Sequence, residues 1–281
     1  MKAQHACIPC SLKQVERVAR LVGCSPEENS QLQEEMLAQL DGIDMDISPA
    51  EIAFRVYHQL SEATGIVDPY REVKQQSTRQ ALSYYDFLKA QVLAARDPLA
   101  MAIKVAAAGN MIDFASNPDY DLQRDLVPAL QEPFGIFDYQ TFRSHLDQAE
   151  EVLMIGDNAG ETVFDRVLIE TLDKPVVYAV RGEPIINDAV LRDAQEAGLH
   201  EVASLVSSGT GCPGAVLPTC TPEFRELFDQ AEMVISKGQG NYEALSDQTR
   251  SIFFVLKVKC ELAADHVGSP LGSLVLKGIN T

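Results

Sequence analysis

Short clusters carry the residue types that do chemistry in this chain. They are Gly156-Asp157-Asn158-Ala159-Gly160-Glu161, Asn187-Asp188, Ser207-Ser208-Gly209, Lys237-Gly238-Gln239-Gly240-Asn241, and Cys7-Ile8-Pro9-Cys10 with a distant Cys260. Two aspartates and an asparagine offer hard oxygen donors for a divalent cation, and a lysine between glycines is suited to phosphoryl oxygens. Each residue also has an ordinary use. Asp and Asn are frequent in turns, Asp188 stands at a helix N-cap position, and a lysine in a turn is commonly a surface residue. Gly109-Asn110-Met111-Ile112-Asp113 reads, on pattern alone, as a helix C-cap.

What brings the clusters together is the periodicity around them. Val152–Ile155 is a continuous apolar run, as for a strand buried on both faces of a parallel sheet, and Val163, Phe164, Val167, Leu168 and Leu172 follow it at helical spacing. Apolar runs recur at 175–180, 202–206, 233–236 and 252–256, with helical patterns between them at 189–197 and 222–231. This alternation predicts an α/β fold with a doubly wound, mostly parallel, Rossmann-like three-layer sheet. In such sheets ligands bind at the carboxyl ends of the strands. Asp157/Asn158, Asp188, Lys237 and the Ser207-Ser208 loop all fall at that edge, and independent turns need not coincide there. The Gly-Ser loop suits anion contacts through backbone N–H groups but lacks the Gly-Lys-Ser/Thr ending of a Walker A loop. Residues 134–139 read as a short strand or loop, and 261–281 as a loop-like tail.

The first third of the chain is different. Ser25-Pro26-Glu27-Glu28 and Ser48-Pro49-Ala50-Glu51 are helix starts with Ser at the cap, Pro at the first helical position and Glu three residues on. No strand pattern intervenes before about residue 95, which predicts an all-α N-terminal subdomain over 1–97 and an α/β metal- and phosphate-binding domain over 98–281. His58 reads as a packing or surface residue.

A formal net charge of −18 argues against nucleic acid or an anionic membrane as the default partner, and it makes phosphate binding depend on local positive charge. With 46% hydrophobic residues, no run of membrane-spanning length and no signal-peptide pattern at Met1–His5, the expected location is the cytoplasm. Six cysteines in such a compartment are thiols or metal ligands rather than disulfides. Cys7 and Cys10 cannot complete a tetrahedral site alone; Cys260 is the candidate third ligand, and the bland alternative is a pair of buried thiols pinning the first helix.

Taken together, Gly156-Asp157-Asn158-Ala159-Gly160-Glu161, Pro184-x-x-Asn187-Asp188, Lys237-Gly238-Gln239-Gly240-Asn241-Tyr242-Glu243 and Gly109-Asn110-x-x-Asp113 resemble the metal-dependent damage-control phosphatases. Cys7-x-x-Cys10 and Lys257-x-Lys259-Cys260 are similar to the prokaryotic branch of that family. The resemblance implies hydrolysis of small phosphate monoesters, sugar phosphates or damaged phosphometabolites, with Mg²⁺, Mn²⁺, Co²⁺ or Ni²⁺ held by Asp157, Asn158 and Asp188. It makes Lys237 and Asn110 phosphate contacts, and Asp113, Glu161, Ser207 and Ser208 join them as candidates around the substrate. The nucleophile is a water or Asp157 itself; Ala159, where a haloacid-dehalogenase-type phosphatase would carry a second Asp, weighs against the covalent route. Two rival readings stand beside this one. The Gly-x-x-x-Gly turn after a strand is compatible with an S-adenosylmethionine-dependent methyltransferase, and the three cysteines with a non-enzymatic metal-binding sensor.

Overall fold

The protein, seen here as a computed structural model, is described over residues 1–109 and 122–281. Asn110 and Asp113 lie outside the described residues. The chain opens with α1 (Cys7–Leu21), α2 (Pro26–Leu40), α3 (Pro49–Thr64), α4 (Arg71–Ala94) and α5 (Pro98–Gly109). The Ser-Pro-x-Glu starts of α2 and α3 are complete capping boxes. Ser25 and Ser48 accept from the N–H groups of Glu28 and Glu51, whose carboxylates reach back to the cap N–H groups. Cys7 and Cys10 lie inside the first turns of α1 rather than ahead of it.

A π-helical turn at Leu122–Leu126 leads into α6 (Val127–Gln131), β1 (Ile136–Phe137) and α7 (Tyr139–Gln148). The remainder alternates: β2 (Val152–Ile155), α8 (Thr162–Leu172), β3 (Val176–Val180), α9 (Leu191–Glu196), β4 (Ser204–Ser207), α10 (Pro222–Gln230), β5 (Met233–Lys237), α11 (Gly238–Leu245), β6 (Ile252–Lys257), α12 (Glu261–Val267) and β7 (Leu274–Ile279). The tail expected to be loop-like thus forms a helix and a strand. Its apolar run, Leu274-Val275-Leu276, is short and flanked by Gly272 and Gly278, so nothing local marks it as a strand. It becomes one because β6 offers it a full antiparallel edge, from Ile252↔Ile279 to Lys257↔Leu274.

The sheet order is β1-β7-β6-β5-β2-β3-β4. From β6 through β4 every pair is parallel; β7 runs against β6, and β1 runs with β7. The chain steps from β2 to β3 and β4 on one side, then returns to place β5 and β6 on the other. The loops after β2 and β5 therefore diverge from neighbouring strands, which is the switch point where open α/β sheets form their ligand crevice.

One face of the sheet packs on α5, α7 and α8. Ala81, Leu88 and Val92 of α4 share this cluster with the alanines of α5 and with Phe164. Small residues let α5 approach α8 so closely that a Cβ added at Gly109 would come within 2.8 Å of the Phe164 Cβ. The other face packs on α10, α11 and α12 through Phe224, Phe228 and Tyr242. Helices α1 to α3 enclose a third cluster, and Ile185 from the β3–α9 connection inserts into it. Replacing Ser48 with Ala removes one capping box and is expected to lower stability by about 1 kcal/mol without altering the denaturant slope; urea titrations of the two proteins measure the difference.

Candidate functional site

The loops after β2 and β3 are zipped together by main-chain bonds. Ala159 N–H donates to Asn187 C=O (2.9 Å), Ala189 N–H donates to Asp157 C=O (2.8 Å), and Asn158 and Asp188 form an isolated antiparallel bridge. Asp157 and Asp188 come side by side for this reason. The junction of β5 with α11 is tied to the same point by Asn241 of α11. Its amide nitrogen donates to the carbonyls of Gly156 (2.9 Å) and Lys237 (2.7 Å), and its oxygen accepts from Ala215 N–H (2.8 Å). Gly238, at φ +78°, lies against the Asp157 carboxylate where any Cβ would collide with it.

The side chains at this junction are buried and densely charged. Asn158 Nδ2 donates to Asp157 Oδ2 (3.0 Å) and Glu161 Oε2 (3.1 Å), which turns its amide oxygen away from those carboxylates. The Lys237 ammonium is wholly buried and donates to Glu161, to Asp165 Oδ1 (2.5 Å) and to the Ala106 carbonyl (2.9 Å). Tyr178 completes the cluster by donating to Asp165 Oδ2 (2.7 Å). Arg181, directly after β3, donates from Nε to Asp188 Oδ2 (2.8 Å) and places Nη2 3.6 Å from Asp157 Oδ1. Its Nη1 and Nη2 are buried without a hydrogen-bond partner among the described residues, an arrangement that costs about 1–3 kcal/mol per group if nothing fills it.

Among the described residues, Asp157, Asp188, Glu161 and Asp165 face Lys237 and Arg181: four carboxylates against two cations. Fully ionised, the group is short of two positive charges, the complement of a divalent cation. Burial, and after it like charge at Asp157 and Asp165, holds the carboxyls of Asp157, Asp165 and Asp188 above their ordinary range. Asp157 is pushed up to about 8, first by burial and then by the charges of Asp188 and Glu161. Burial also raises Asp188 against the pull of Arg181, and lifts Asp165 to about 6 against the pull of Lys237. Among the described residues no group of three His, Cys, Asp or Glu side chains converges as a metal cage. Two carboxylates and an amide oxygen are nevertheless a fitting set for an ion that keeps waters or takes substrate phosphate as its remaining ligands.

The structure sorts the residues expected from sequence. Asp157, Asn158 and Asp188 are brought together. Glu161 stands behind Asn158 as its support. Lys237 does not meet the expectation of a free phosphate donor, because a buried ammonium with three acceptors has no hydrogen left to offer. Ser208 Oγ donates to the Val180 C=O at the end of β3 (2.8 Å), and Ser207 Oγ accepts from Gly209 N–H within its own loop (3.1 Å). The glycines of the 156–160 turn leave room for protein rather than cofactor: a Cβ at Gly156 would strike the Tyr178 ring and hydroxyl, and one at Gly160 would meet Ser77. Arg181 was missed, although it follows the apolar run 176–180 at the same strand edge that drew attention to Lys237.

Beyond the buried cluster, Lys259 is exposed and its charge draws both Asp157 and Asp188 downward. Its N–H is held by Gln239 Oε1 (2.8 Å), and the Gln239 amide nitrogen also reaches Cys260 Sγ (3.4 Å). Cys7, Cys10 and Cys260 influence one another electrostatically, and burial pushes the Cys7 and Cys10 thiols up, which disfavours reactive thiolates there. Cys260 caps α12 through Ala263 N–H (3.4 Å). A cleft of about 420 Å³ opens between α3 and the β3–α9 connection, with Phe54, Tyr57, His58, Glu183 and Ile186 on its walls. Tyr57 also senses the charge of Asp188, and Ile186 holds a φ of +46°, a strained angle for a β-branched residue.

The chain is matched over residues 3–275 by the family model of the damage-control phosphatase ARMT1-like domain. It is 33% identical over 285 residues to a damage-control phosphatase of Pyrococcus horikoshii, covering 98% of this chain and 97% of that protein. It is 30% identical over 287 residues to a damage-control phosphatase of Archaeoglobus fulgidus, covering 99% of each. The crystal structure of a DUF89 family protein from Pyrococcus horikoshii aligns with a TM-score of 0.89 and 31% identity over 98% of both chains.

Two outcomes follow from the buried charges. Replacing Lys237 with Met strands Glu161 and Asp165 in the interior and is expected to destabilise the protein by about 3–5 kcal/mol, read by chemical denaturation. The raised Asp157 carboxyl binds a proton in the folded chain at pH values where the unfolded chain has lost it. Its contribution to stability is therefore complete below about pH 4 and is lost as pH rises through about 8. Thermal unfolding of EDTA-treated protein is expected to move to lower temperature across that window, and Asp157→Asn is expected to flatten the fall.

Proposed function

This chain belongs to the damage-control phosphatases with the ARMT1-like domain, and from that premise we propose that it hydrolyses small phosphate monoesters with a divalent cation held by Asp157, Asn158 and Asp188. The observation that carries the reading is the buried cluster with four carboxylates and two cations. Mg²⁺, Mn²⁺, Co²⁺ or Ni²⁺ held there would supply positive charge and Lewis-acid polarisation of a phosphoryl oxygen.

The chain's own residues divide the remaining work. Glu161 orients the Asn158 amide, and Lys237 keeps Glu161 and Asp165 in place. Lys259 at the open side, rather than Lys237, adds positive charge where a phosphate would arrive. Water is the nucleophile in this reading, since Ala159 occupies the position where a covalent route would want a second carboxylate. The cleft beside Tyr57 and Glu183 accommodates the organic part of the ester, a sugar or similar phosphometabolite.

The test is phosphate release from a panel of monoesters after EDTA treatment, with each cation restored in turn. At least one cation is expected to restore release, and Asp157→Ala and Asp188→Ala are each expected to lower it by more than about 100-fold while circular dichroism stays unchanged. Full activity in either variant, or no release from any ester with any cation, overturns the reading.

A further inference from the structure

We infer that Arg181 is a phosphate ligand of this site, a guanidinium that steadies Asp188 through Nε and presents its two Nη groups to the oxygens of a phosphoryl group or of released phosphate. The inference rests on the phosphatase reading and adds to it a residue that no motif singled out.

The geometry is specific. Arg181 is fixed at the carboxyl end of β3 by its N–H to Ala189 C=O (2.9 Å) and by a bridge to Val190. Its side chain is 1% exposed, so the head group is held inside the site. One edge is committed to Asp188 at 2.8 Å. The other edge carries two buried nitrogens without hydrogen-bond partners among the described residues, and the ion-pair separation of 3.6 Å from Asp157 is too long to count as one. A guanidinium is a planar fork that suits phosphate in a bidentate manner, and it remains charged when buried. The neighbouring cations differ on each point. Lys237 is buried with its donors committed, and Lys259 is an exposed ammonium on a flexible stem.

The test uses full-length wild type, Arg181→Gln and Arg181→Lys, with inorganic phosphate as the titrant in calorimetry at saturating Mn²⁺ and, separately, Mn²⁺ alone as the titrant. Arg181→Gln is expected to weaken phosphate binding by about 10- to 100-fold without weakening Mn²⁺ binding, since it removes a cation from beside the metal. Arg181→Lys is expected to fall between the two. A residue that only held Asp188 in place would give the opposite pattern, weaker Mn²⁺ binding with phosphate affinity intact once Mn²⁺ is saturating, and that result overturns the inference. So does unchanged phosphate affinity in Arg181→Gln, or no phosphate binding by wild type at saturating Mn²⁺. Should the variants not fold, ¹⁵N-arginine spectra of the wild-type Mg²⁺ form decide it: a buried Nη resonance that moves on phosphate addition supports the inference, and its absence refutes it. Wild type that binds phosphate yet hydrolyses no ester removes the phosphatase reading while the Arg181 measurement still stands.

Discussion

The burial of the Lys237 ammonium between Glu161 and Asp165 is the interaction on which the rest of the site depends. An isolated charge in a protein interior is strongly disfavoured, and each of these three is tolerated because the others are there. The cluster links the end of β5, the start of α8 and, through the Ala106 carbonyl, helix α5. With Glu161 fixed, the Asn158 amide is fixed; with Asp165 fixed, Tyr178 on β3 is fixed. The oxygen donors of Asp157, Asn158 and Asp188 are thus held by a second tier of charges. In an overall acidic chain, Arg181 and Lys259 supply positive charge beside these donors.

The helical N-terminal part is not remote from this chemistry. Ile185 packs among α1 to α3 only three residues before Asp188. The Lys74 ammonium of α4 is buried between Asp68 (3.0 Å) and Asp193 (3.2 Å), which ties the α3–α4 connection to α9. The connection that carries Asp188 is therefore gripped from its start by the α1–α3 core and beyond its end by an ion pair. The strained Ile186 lies between these anchors. A shift of α3 would alter the cleft wall and the position of Asp188 together, so the two are mechanically joined in this fold.

The three cysteines illustrate how a motif reads differently in sequence and in space. Cys7 and Cys10 at i, i+3 spacing inside a helix project from the same side of α1, and Cys260 is near enough to affect them. Yet Cys260 accepts the Ala263 N–H as a helix cap and a bond from Gln239, and the same Gln239 orders Lys259. The thiol is thereby part of the packing around the Lys259 backbone.

Much of the architecture was legible in the sequence because it is written in local patterns. Continuous apolar runs marked the strands from β2 to β6, Ser-Pro-x-Glu marked the starts of α2 and α3, and the rule that ligands gather at strand carboxyl ends selected Asp157, Asn158 and Asp188. Residue type and spacing determine these features, since a buried parallel strand must be apolar on both faces and a capping box needs its partners three residues apart. Tertiary structure alone decided the roles of the cations. Lys237 ends one apolar strand and Arg181 directly follows another, and nothing local sets their roles apart. Lys237 became an internal strut because Glu161, Asp165 and Ala106, 76, 72 and 131 residues away in sequence, converge on it. Arg181 gives its Nε to Asp188 and keeps both Nη groups without hydrogen-bond partners among the described residues, with Asp157 at ion-pair distance. The final strand was hidden for the same reason: Leu274–Ile279 is a strand by virtue of the edge that β6 presents, and a partner's edge is not a property of the segment's own residues.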